Sequence, residues 1–469
     1  MRFTHAHYYD TGRDDLRPVS YVQVKPDGYI IMSEHMATLR KRLEARNALV
    51  AVVGMGYVGL PLAVVLGKVG FRVTGVDTSS HKVSLIEAGK SDVQGVSEFE
   101  VAGLKAVGKL SATSDYAAVG EADVIVVSVP TPLNKTGDPD VSFIMHAFEE
   151  IRNRQRPGQL VILESTTYPG TTYELVLPKL ESGGLKVGED FYLAFSPERV
   201  DPGNPVYTIT NTAKVVGGMT PACTEIASLF YQQFINEVVP VSSTQTAEMA
   251  KLLENTFRSV NIALVNEVAL MCDRLGVDVW EVIDAAGTKP FGFMPFYPGP
   301  GLGGHCIPID PHYLAWKLRT LNFHSRFIEL AGEITRSMPA HVVSKVGDAL
   351  NQFEKSIRGS NILVLGITYK PDVADIRESP ALDIMVMLEA KGASVSYNDP
   401  FIPEISVDGL EMSSTDLTVE LLGSTDCVVI ATNHGEYDAE WIVEHSGCLV
   451  DTRNATKGIS SEEGKVVKL

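Results

Sequence analysis

The feature that most constrains this chain is a glycine turn set between an apolar run and a helix of small residues. The run Ala48 to Val53 leads directly into Gly54-Met-Gly-Tyr-Val-Gly59, and apolar and small residues follow to about Gly70. Strand, tight turn and helix in that order present backbone N–H groups and the positive end of a helix to a pyrophosphate. The next apolar stretch, Phe71-Arg-Val-Thr-Gly-Val-Asp77, ends on a carboxylate 18 residues beyond Gly59. A carboxylate there accepts hydrogen bonds from an adenosine ribose and repels a 2′-phosphate. A tight turn without a ligand is the alternative, since the glycine pattern alone is a weak signal. Its full context predicts a site for NAD rather than NADP, formed by Gly54, Gly56, Tyr57, Val58, Gly59 and Asp77. Lys82 could flank the adenosine, although by itself it would be an ordinary surface lysine.

The same rhythm continues along the chain. Asp123-Val-Ile-Val-Val-Ser-Val129 and Leu160-Val-Ile-Leu163 are further buried-strand runs separated by helical or polar stretches, as in a parallel sheet wrapped by helices. Residues 246 to 275 are rich in helix formers and free of Gly and Pro, which predicts one long helix. At about 1.5 Å per residue such a helix could span a whole domain, so a spacer or dimerisation element is its simplest role. After a Gly/Pro-rich stretch and more helical sequence, Asn361-Ile-Leu-Val-Leu-Gly366, Ala393-Ser-Val-Ser-Tyr-Asn-Asp399 and Asp426-Cys-Val-Val-Ile-Ala431 repeat the strand spacing without the glycine fingerprint. The expected architecture is α/β, with two Rossmann-like doubly wound parallel-sheet domains joined by a long central helix. The expected divisions are an N-terminal extension over 1–46, an NAD domain over 47–240, a central helical region over 241–335 and a second Rossmann-like domain over 336–469. Residues 1–46 are polar and show no clear period.

Bulk properties exclude several classes. A chain of 469 residues exceeds the size at which a single core keeps growing, and no run approaches the ~18 apolar residues of a membrane span. The start lacks a charged head followed by an apolar signal core, so a cytoplasmic protein is expected. A net charge of -18 repels nucleic acid and anionic membrane, and an anionic ligand would need a locally basic pocket. Five scattered cysteines without a CxxC pair argue against a disulfide framework and a zinc ribbon.

Cys306 stands apart from the other cysteines. It lies in Gly299-Pro-Gly-Leu-Gly-Gly-His-Cys-Ile-Pro-Ile-Asp-Pro311, where glycines could let a substrate approach the backbone. Cys223, Cys272, Cys427 and Cys448 read as buried small hydrophobes. His305, Cys306, Asp310 and His312 are potential metal ligands, but adjacent residues do not easily converge on one ion and no second cluster completes a set, so no metal is expected. Lys251 and Asn255 share one face of the long helix, where an ammonium and an amide could reach one bound oxygen. The Ser196-Pro-Glu-Arg-Val-Asp201 segment follows an apolar strand and brings Glu198 to a loop of the kind that holds ligands in parallel sheets. Taken singly, the last two features would pass as a solvated helix face and a turn.

Together these residues resemble the UDP-glucose/GDP-mannose dehydrogenase superfamily, the nucleotide-sugar 6-dehydrogenases, over nearly all of residues 48–455. The shared segments are Gly54-Met-Gly-Tyr-Val-Gly-Leu-Pro61, Val129-Pro-Thr-Pro132, Glu164-Ser-Thr-Thr167, Ser196-Pro-Glu198, Glu248-x-x-Lys-x-x-x-Asn255, Gly303-Gly-His-Cys-x-Pro-x-Asp310 and Lys370-Pro-Asp-x-x-Asp-x-Arg-Glu-Ser379. The resemblance implies an NAD domain, a central helix used for dimerisation, and a C-terminal domain that binds the nucleotide of a UDP-sugar. It implies oxidation of a sugar C6 alcohol to a carboxylate by two hydride transfers, with Cys306 adding to the intermediate aldehyde. A thiohemiacetal still carries a hydride to donate, and the thioester left after its oxidation is hydrolysed by water. By the same resemblance Lys251 stabilises the oxyanion, Asn255 supports that oxygen or a water, Asp310 works with Lys251 in proton transfer, and Glu198 serves hydrolysis. Thr131 and Thr166 face the nicotinamide and the catalytic water, Arg377 contacts NAD, and Lys370, Arg199 and Gly303 contact the substrate.

The segments Pro197-Glu-Arg-Val200 and Leu302-Gly-Gly304 are similar to the N-acetylhexosamine branch, whereas UDP-glucose enzymes usually have Pro-Glu-Phe-Leu and Phe-Gly-Gly there. UDP-N-acetylglucosamine is the expected substrate, ahead of UDP-N-acetylmannosamine and UDP-N-acetylgalactosamine, with the product destined for surface polysaccharide. Two rival readings are a 3-hydroxyacid dehydrogenase, which stops after one hydride and leaves the Cys306 loop unexplained, and a nucleotide-sugar sensor, which has no need of Cys306, Lys251 and Asp310.

Overall fold

The computed structural model describes residues 33–134, 138–201, 204, 206–304, 306–407 and 409–469. The first sheet contains β1 (Leu49–Val53), β2 (Arg72–Val76), β3 (Leu110–Thr113), β4 (Val124–Val127), β5 (Leu160–Leu163), β6 (Tyr192–Phe195), β7 (Lys214–Gly218) and β8 (Val238–Val241). Their order is β3-β2-β1-β4-β5-β6-β7-β8. The first six strands are parallel, and β7 runs against β6. The strand order reverses between β1 and β4, the switch point where doubly wound sheets open a crevice for ligands. Strands β4 and β5 are buried along their whole length because helices cover both faces, which explains their unbroken apolar sequence.

The second sheet has β9 (Asn361–Leu365), β10 (Ser394–Asn398), β13 (Cys427–Ile430), β14 (Leu449–Asp451) and β15 (Val466–Lys468), ordered β10-β9-β13-β14-β15 and parallel throughout. A hairpin of β11 (Glu404–Val407) and β12 (Leu410–Ser413) stands beside it. Two α/β halves with parallel sheets are therefore present, as the sequence implies.

The long helix between them runs Thr244–Leu275. It starts two residues before the expected position because the Ser243 side chain caps it, accepting the Thr246 N–H at 3.1 Å. Gly276, at φ 66°, ends it in the left-handed conformation. A second long helix, Arg326–Gln352, carries the chain along it into the second sheet.

One reading is corrected. The stretch before Ala48 is not without period: Glu34–Glu44 is a helix whose Met36, Leu39 and Leu43 are buried in the core of the first sheet. Three apolar positions spaced by three and four suffice for one buried stripe even when charged residues fill the rest. Residues 1–32 and His305 lie outside the described residues. No helix among the described residues is long and apolar enough to cross a membrane, and none of their His, Cys, Asp or Glu side chains form a group of three suited to a metal ion.

Candidate active site

A cleft of about 1720 Å³ runs from the glycine turn after β1 to the loop after β9. The three glycines at its head have separate tasks. Gly54 adopts φ 93°, and a Cβ there would sit 2.4 Å from the Ser128 carbonyl oxygen. Gly56 faces open space, whereas Gly59 packs the helix so tightly on the turn that a Cβ would meet the Gly54 oxygen at 1.8 Å. Turn, open approach and close packing are the properties that a dinucleotide pyrophosphate requires of these positions. Asp77 lines the same end of the cleft, where its carboxylate accepts the Met55 and Ser79 N–H groups, each at 2.8 Å, and so braces the turn. Lys82 also lines the cleft and is paired with Asp92 at 3.1 Å. This end of the cleft fits NAD.

Farther along, Thr131, Thr166, Glu198, Lys251 and Cys306 line one continuous wall. The loop carrying Thr166 is fixed to the central helix by Glu248, whose buried carboxylate accepts the Gly170 N–H at 2.6 Å and the Thr172 N–H at 2.9 Å. Burial nevertheless pushes Glu248 up to about 7, against those bonds. Lys251 donates to the Glu198 carbonyl oxygen at 2.7 Å. Asn255 and Asp310 are buried beside that wall, and the Asn255 amide donates to Asp310 Oδ2 at 2.5 Å. Asp310 opens the helix Asp310–Thr320, and its backbone N–H is bonded to the Cys306 carbonyl at 2.8 Å, which folds Cys306 and Asp310 into one turn. Burial raises the Asp310 carboxyl to about 6, with Lys251 and Asn255 pulling the other way. Burial, then the Asp310 charge, push the Cys306 thiol up to about 11, partly offset by Lys251, Arg377 and Arg258. Near neutral pH the thiol is therefore mostly protonated.

Glu198 belongs to a buried ionic group that the sequence does not announce. Lys214 lies between Glu164 at 3.0 Å and Glu198 at 3.2 Å, and the Tyr231 hydroxyl donates to Glu164 at 2.5 Å. Burial alone would raise Glu198, but Lys214 and the Val200 N–H outweigh it and hold the carboxyl below its ordinary range. Glu164 is raised by burial despite Lys214.

The glycines around Cys306 pack against the C-terminal half of the chain. A Cβ on Gly303 would lie 2.6 Å from Tyr369 Cβ and 2.7 Å from the Glu378 carbonyl oxygen, and one on Gly304 2.8 Å from the Tyr369 ring. Pro380 fills the space at Gly301, and Arg453 that at Gly299. The missing side chains make room for the C-terminal half, while Gly301 also lines the cleft.

The loop after β9 closes the cleft from the other side. Lys370 reaches Asp201 of the first domain at 2.7 Å, and the Arg377 guanidinium lies 5.7 Å from the Tyr57 ring centre while bonded to Asp375. Tyr57 lines the cleft beneath it. Arg199 is tied to Glu254 at 2.7 Å and to the Ala213 carbonyl, and like Lys370 and Gly303 it is not among the residues lining the cleft. Arg453 is a further cation that the sequence reading passes over: its Nε donates to the Ala431 carbonyl at 2.7 Å, and burial lowers its pKa to about 10. A cation directly after the carboxyl end of β14 was the available signal.

The chain is similar to known proteins over most of its length. The UDP-glucose/GDP-mannose dehydrogenase family matches in three successive models: its NAD binding domain over residues 48–235, its central domain over 245–337 and its UDP binding domain over 363–458. The chain is 36% identical over 391 residues to UDP-N-acetyl-D-glucosamine 6-dehydrogenase of Pseudomonas aeruginosa, covering 83% of this chain and 91% of that protein. It is 35% identical over 399 residues to UDP-N-acetyl-D-mannosamine dehydrogenase of Methanococcus maripaludis, covering 83% and 86%. The solved UDP-D-ManNAc dehydrogenase of Pyrococcus horikoshii superposes with a TM-score of 0.81 at 32% identity, covering 90% of this chain and 98% of that one. Three successive family models and relatives matched over more than four fifths of the chain settle its family: the chain belongs to the UDP-glucose/GDP-mannose dehydrogenase family and is an NAD-dependent nucleotide-sugar 6-dehydrogenase.

Proposed function

We propose that the protein oxidises the C6 alcohol of a UDP-N-acetylhexosamine to the carboxylate through a covalent adduct on Cys306. The observation that carries this reading is the turn joining Cys306 to Asp310, set against Lys251 and Asn255 in the wall of the NAD cleft. NAD, when bound along Gly54, Gly56 and Asp77, supplies the oxidising power by accepting a hydride in each of two oxidations. In the first, Lys251 stabilises the alkoxide oxygen while Asp310 receives the proton. Once Asp310 has passed that proton to solvent, the Cys306 sulfur bonds to the aldehyde carbon while its own proton moves by way of Asp310 to the former carbonyl oxygen, giving the thiohemiacetal. Lys251 and Asn255 hold that oxygen in place. The second oxidation leaves a thioester, and water completes the reaction by cleaving the C–S bond, returning the thiol and releasing the carboxylate. Glu198, kept ionised by Lys214, is the group that activates this water.

The domain assignments follow: residues 47–240 hold NAD, residues 241–335 carry the central helix and the thiol, and residues 336–469 hold the nucleotide of the sugar. Lys370 and Arg377 supply positive charge for anionic ligands in a chain of net charge -18, and Thr131, Thr166 and Arg377 face the cofactor. UDP-N-acetylglucosamine is the preferred sugar, supported by Pro197-Glu-Arg-Val200, by Leu302-Gly-Gly304 and by the relative from Pseudomonas aeruginosa. The relative from Methanococcus maripaludis makes UDP-N-acetylmannosamine the next choice. The apolar stripe of Met249, Leu253, Phe257 and Leu264 on the outer face of the central helix is the surface of a homodimer.

The decisive experiment incubates the protein with NAD and each of several UDP-hexoses and counts NADH per sugar consumed. Two per molecule of UDP-N-acetylglucosamine is expected; one or none on every sugar would overturn the reading. Cys306→Ser should make no carboxylate, and carboxylate formed at the parent rate would remove the thiol from the mechanism.

A further inference from the structure

The segment from Gly366 to Ser379 contains no helix or strand, yet it presents Tyr369 to the Cys306 loop, Lys370 to Asp201 and Arg377 to Tyr57. What gives it a shape is a set of bonds to groups at the carboxyl ends of β10 and β13. Asp399, just past β10, accepts the Ile367 N–H at 2.7 Å. The Thr432 hydroxyl, past β13, donates to the Thr368 carbonyl at 2.6 Å, and the Thr368 hydroxyl donates to the Lys370 carbonyl at 3.0 Å. At the centre of the set is His434, 1% exposed, between the rings of Phe401 and Tyr437. Its Nδ1 accepts the Asp372 N–H at 3.0 Å, and its Nε2 stands 3.0 Å from Asp399 Oδ2. A backbone N–H only donates, so Nδ1 carries the lone pair and the ring proton sits on Nε2, where it is given to Asp399.

The arrangement is not a nucleophile relay. Thr368 and Asp399 both face Nε2, whereas a relay needs hydroxyl and acid on opposite ring nitrogens. It has the form of a two-ended latch: the ring joins a carboxylate of the sheet to the backbone of the loop. The loop side is closed a second time, because Asp372 Oδ1 accepts the Gly435 N–H at 2.8 Å. Asp372 itself is held at φ 61° and Glu378 at φ 53°. Left-handed residues other than glycine persist where the surroundings over-determine them, and here the two fixed points lie on either side of Arg377, with Asp372 two residues after Lys370.

We propose that His434 is a positioning residue for the nucleotide-sugar oxidation, fixing the Asp372 backbone so that Lys370 and Arg377 meet their ligands in one geometry. His434 touches neither substrate nor cofactor in this scheme and acts only through the loop. The ligands of Lys370 and Arg377 are those of the proposed function, on which the kinetic half of the test rests.

The two ends of the latch can be separated. An asparagine puts its amide oxygen near the place of Nδ1 and keeps an acceptor for the Asp372 N–H, but loses Asp399. A glutamine reaches toward Asp399 with its amide nitrogen and loses the acceptor. His434→Gln is therefore expected to raise KM for the UDP-sugar about tenfold, the scale of one lost hydrogen bond, and to speed amide hydrogen exchange across residues 367–379 in the unliganded protein. His434→Asn is expected to restore most of both, even with a lower melting temperature. Equal losses in the two variants, or a change in neither, would overturn the proposal, because a merely structural histidine predicts effects that follow stability. If His434→Gln does not fold, Asp372→Gly carries the test: it keeps the positive φ and the N–H, and removes the bond to Gly435. It should raise exchange and KM, and parent values for both would sink the latch. The exchange comparison needs no substrate, so a protein that oxidises no UDP-sugar would refute the proposed function while leaving the latch to be decided on its own.

Discussion

A thiol pushed up to about 11 is almost wholly protonated at neutral pH, so in the proposed mechanism Cys306 becomes nucleophilic only when its proton is taken as the aldehyde arrives. Asp310, in the same turn and raised to about 6, is ionised at neutral pH and is the base within reach of that turn. Activity should fall as pH drops through about 6, and Asp310→Asn should lose most turnover together with that limb of the pH–rate profile. The stability effect has the opposite sign. A carboxyl whose folded pKa lies above its unfolded value of 3.8 binds its proton more tightly when folded, so its ionisation weakens the fold as pH rises from about 4 through 6. Asp310→Asn is thus expected to unfold at a higher temperature than the parent at pH 8, by up to about 3 kcal/mol, and a lower melting point would refute that accounting. Lys214 obeys the other rule. Its ammonium separates two buried carboxylates, and Lys214→Met leaves them facing one another, so one must take a proton. A loss of roughly 3–5 kcal/mol in denaturant unfolding is expected, with the acid limb of turnover moved to higher pH.

At the scale of elements, the Cys306 loop and the loop after β9 are two halves of one joint, and the glycines are its clearances. Gly303→Ala puts a methyl against the Glu378 carbonyl, which is backbone and has little freedom to move, so trimming Tyr369 should not rescue it. A loss of about 1–3 kcal/mol is expected from calorimetry, with a fall in kcat larger than at a glycine that faces open space without a positive φ, for which Gly447→Ala is the control. This joint also marks how far the sequence can be read. Strands β4, β5, β9 and β13 were legible because burial on both faces leaves continuous apolar runs, and the glycine turn because its spacing is fixed by local geometry. Gly299, Gly301, Gly303 and Gly304 were visible as exceptions, but their partners are Arg453, Pro380 and Tyr369, more than sixty residues away in sequence. No local pattern says whether a glycine leaves room for a ligand or for another domain. Lys214 escaped notice for a similar reason. It begins β7, and only the antiparallel turn of that strand brings it beside the carboxyl ends of β5 and β6, where Glu164 and Glu198 lie. Helix Glu34–Glu44 was missed because its three buried residues are diluted by a charged outer face.

For the molecule as a whole, the long helix Thr244–Leu275 has two faces with different duties. One carries Glu248, Asn255, Ser259 and Asn266, buried and polar, toward the site and the Gly299 backbone. The other exposes Met249, Leu253, Phe257, Leu264, Met271 and Leu275 along its full length of about 48 Å. Isolated exposed apolar residues are ordinary, but a row of them at helical spacing on the central element is a cost to a monomer that a second copy removes. Because one helix bears both rows, covering the outer face would hold the helix straight and so fix Lys251 and Asn255 relative to Cys306. Leu253→Glu combined with Met271→Glu changes only the outer row, and neither residue touches the cleft. Sedimentation of the parent should give a dimer or larger closed assembly and that of the double variant a monomer. If the variant remains a dimer, the stripe is not the interface; if the parent is already a monomer at micromolar concentration, the helix serves the site without a partner. The coupling of assembly to catalysis has its own measure: the monomeric variant should lose kcat more than it loses NAD affinity, because the glycine turn belongs to the first sheet and does not depend on how the long helix is supported.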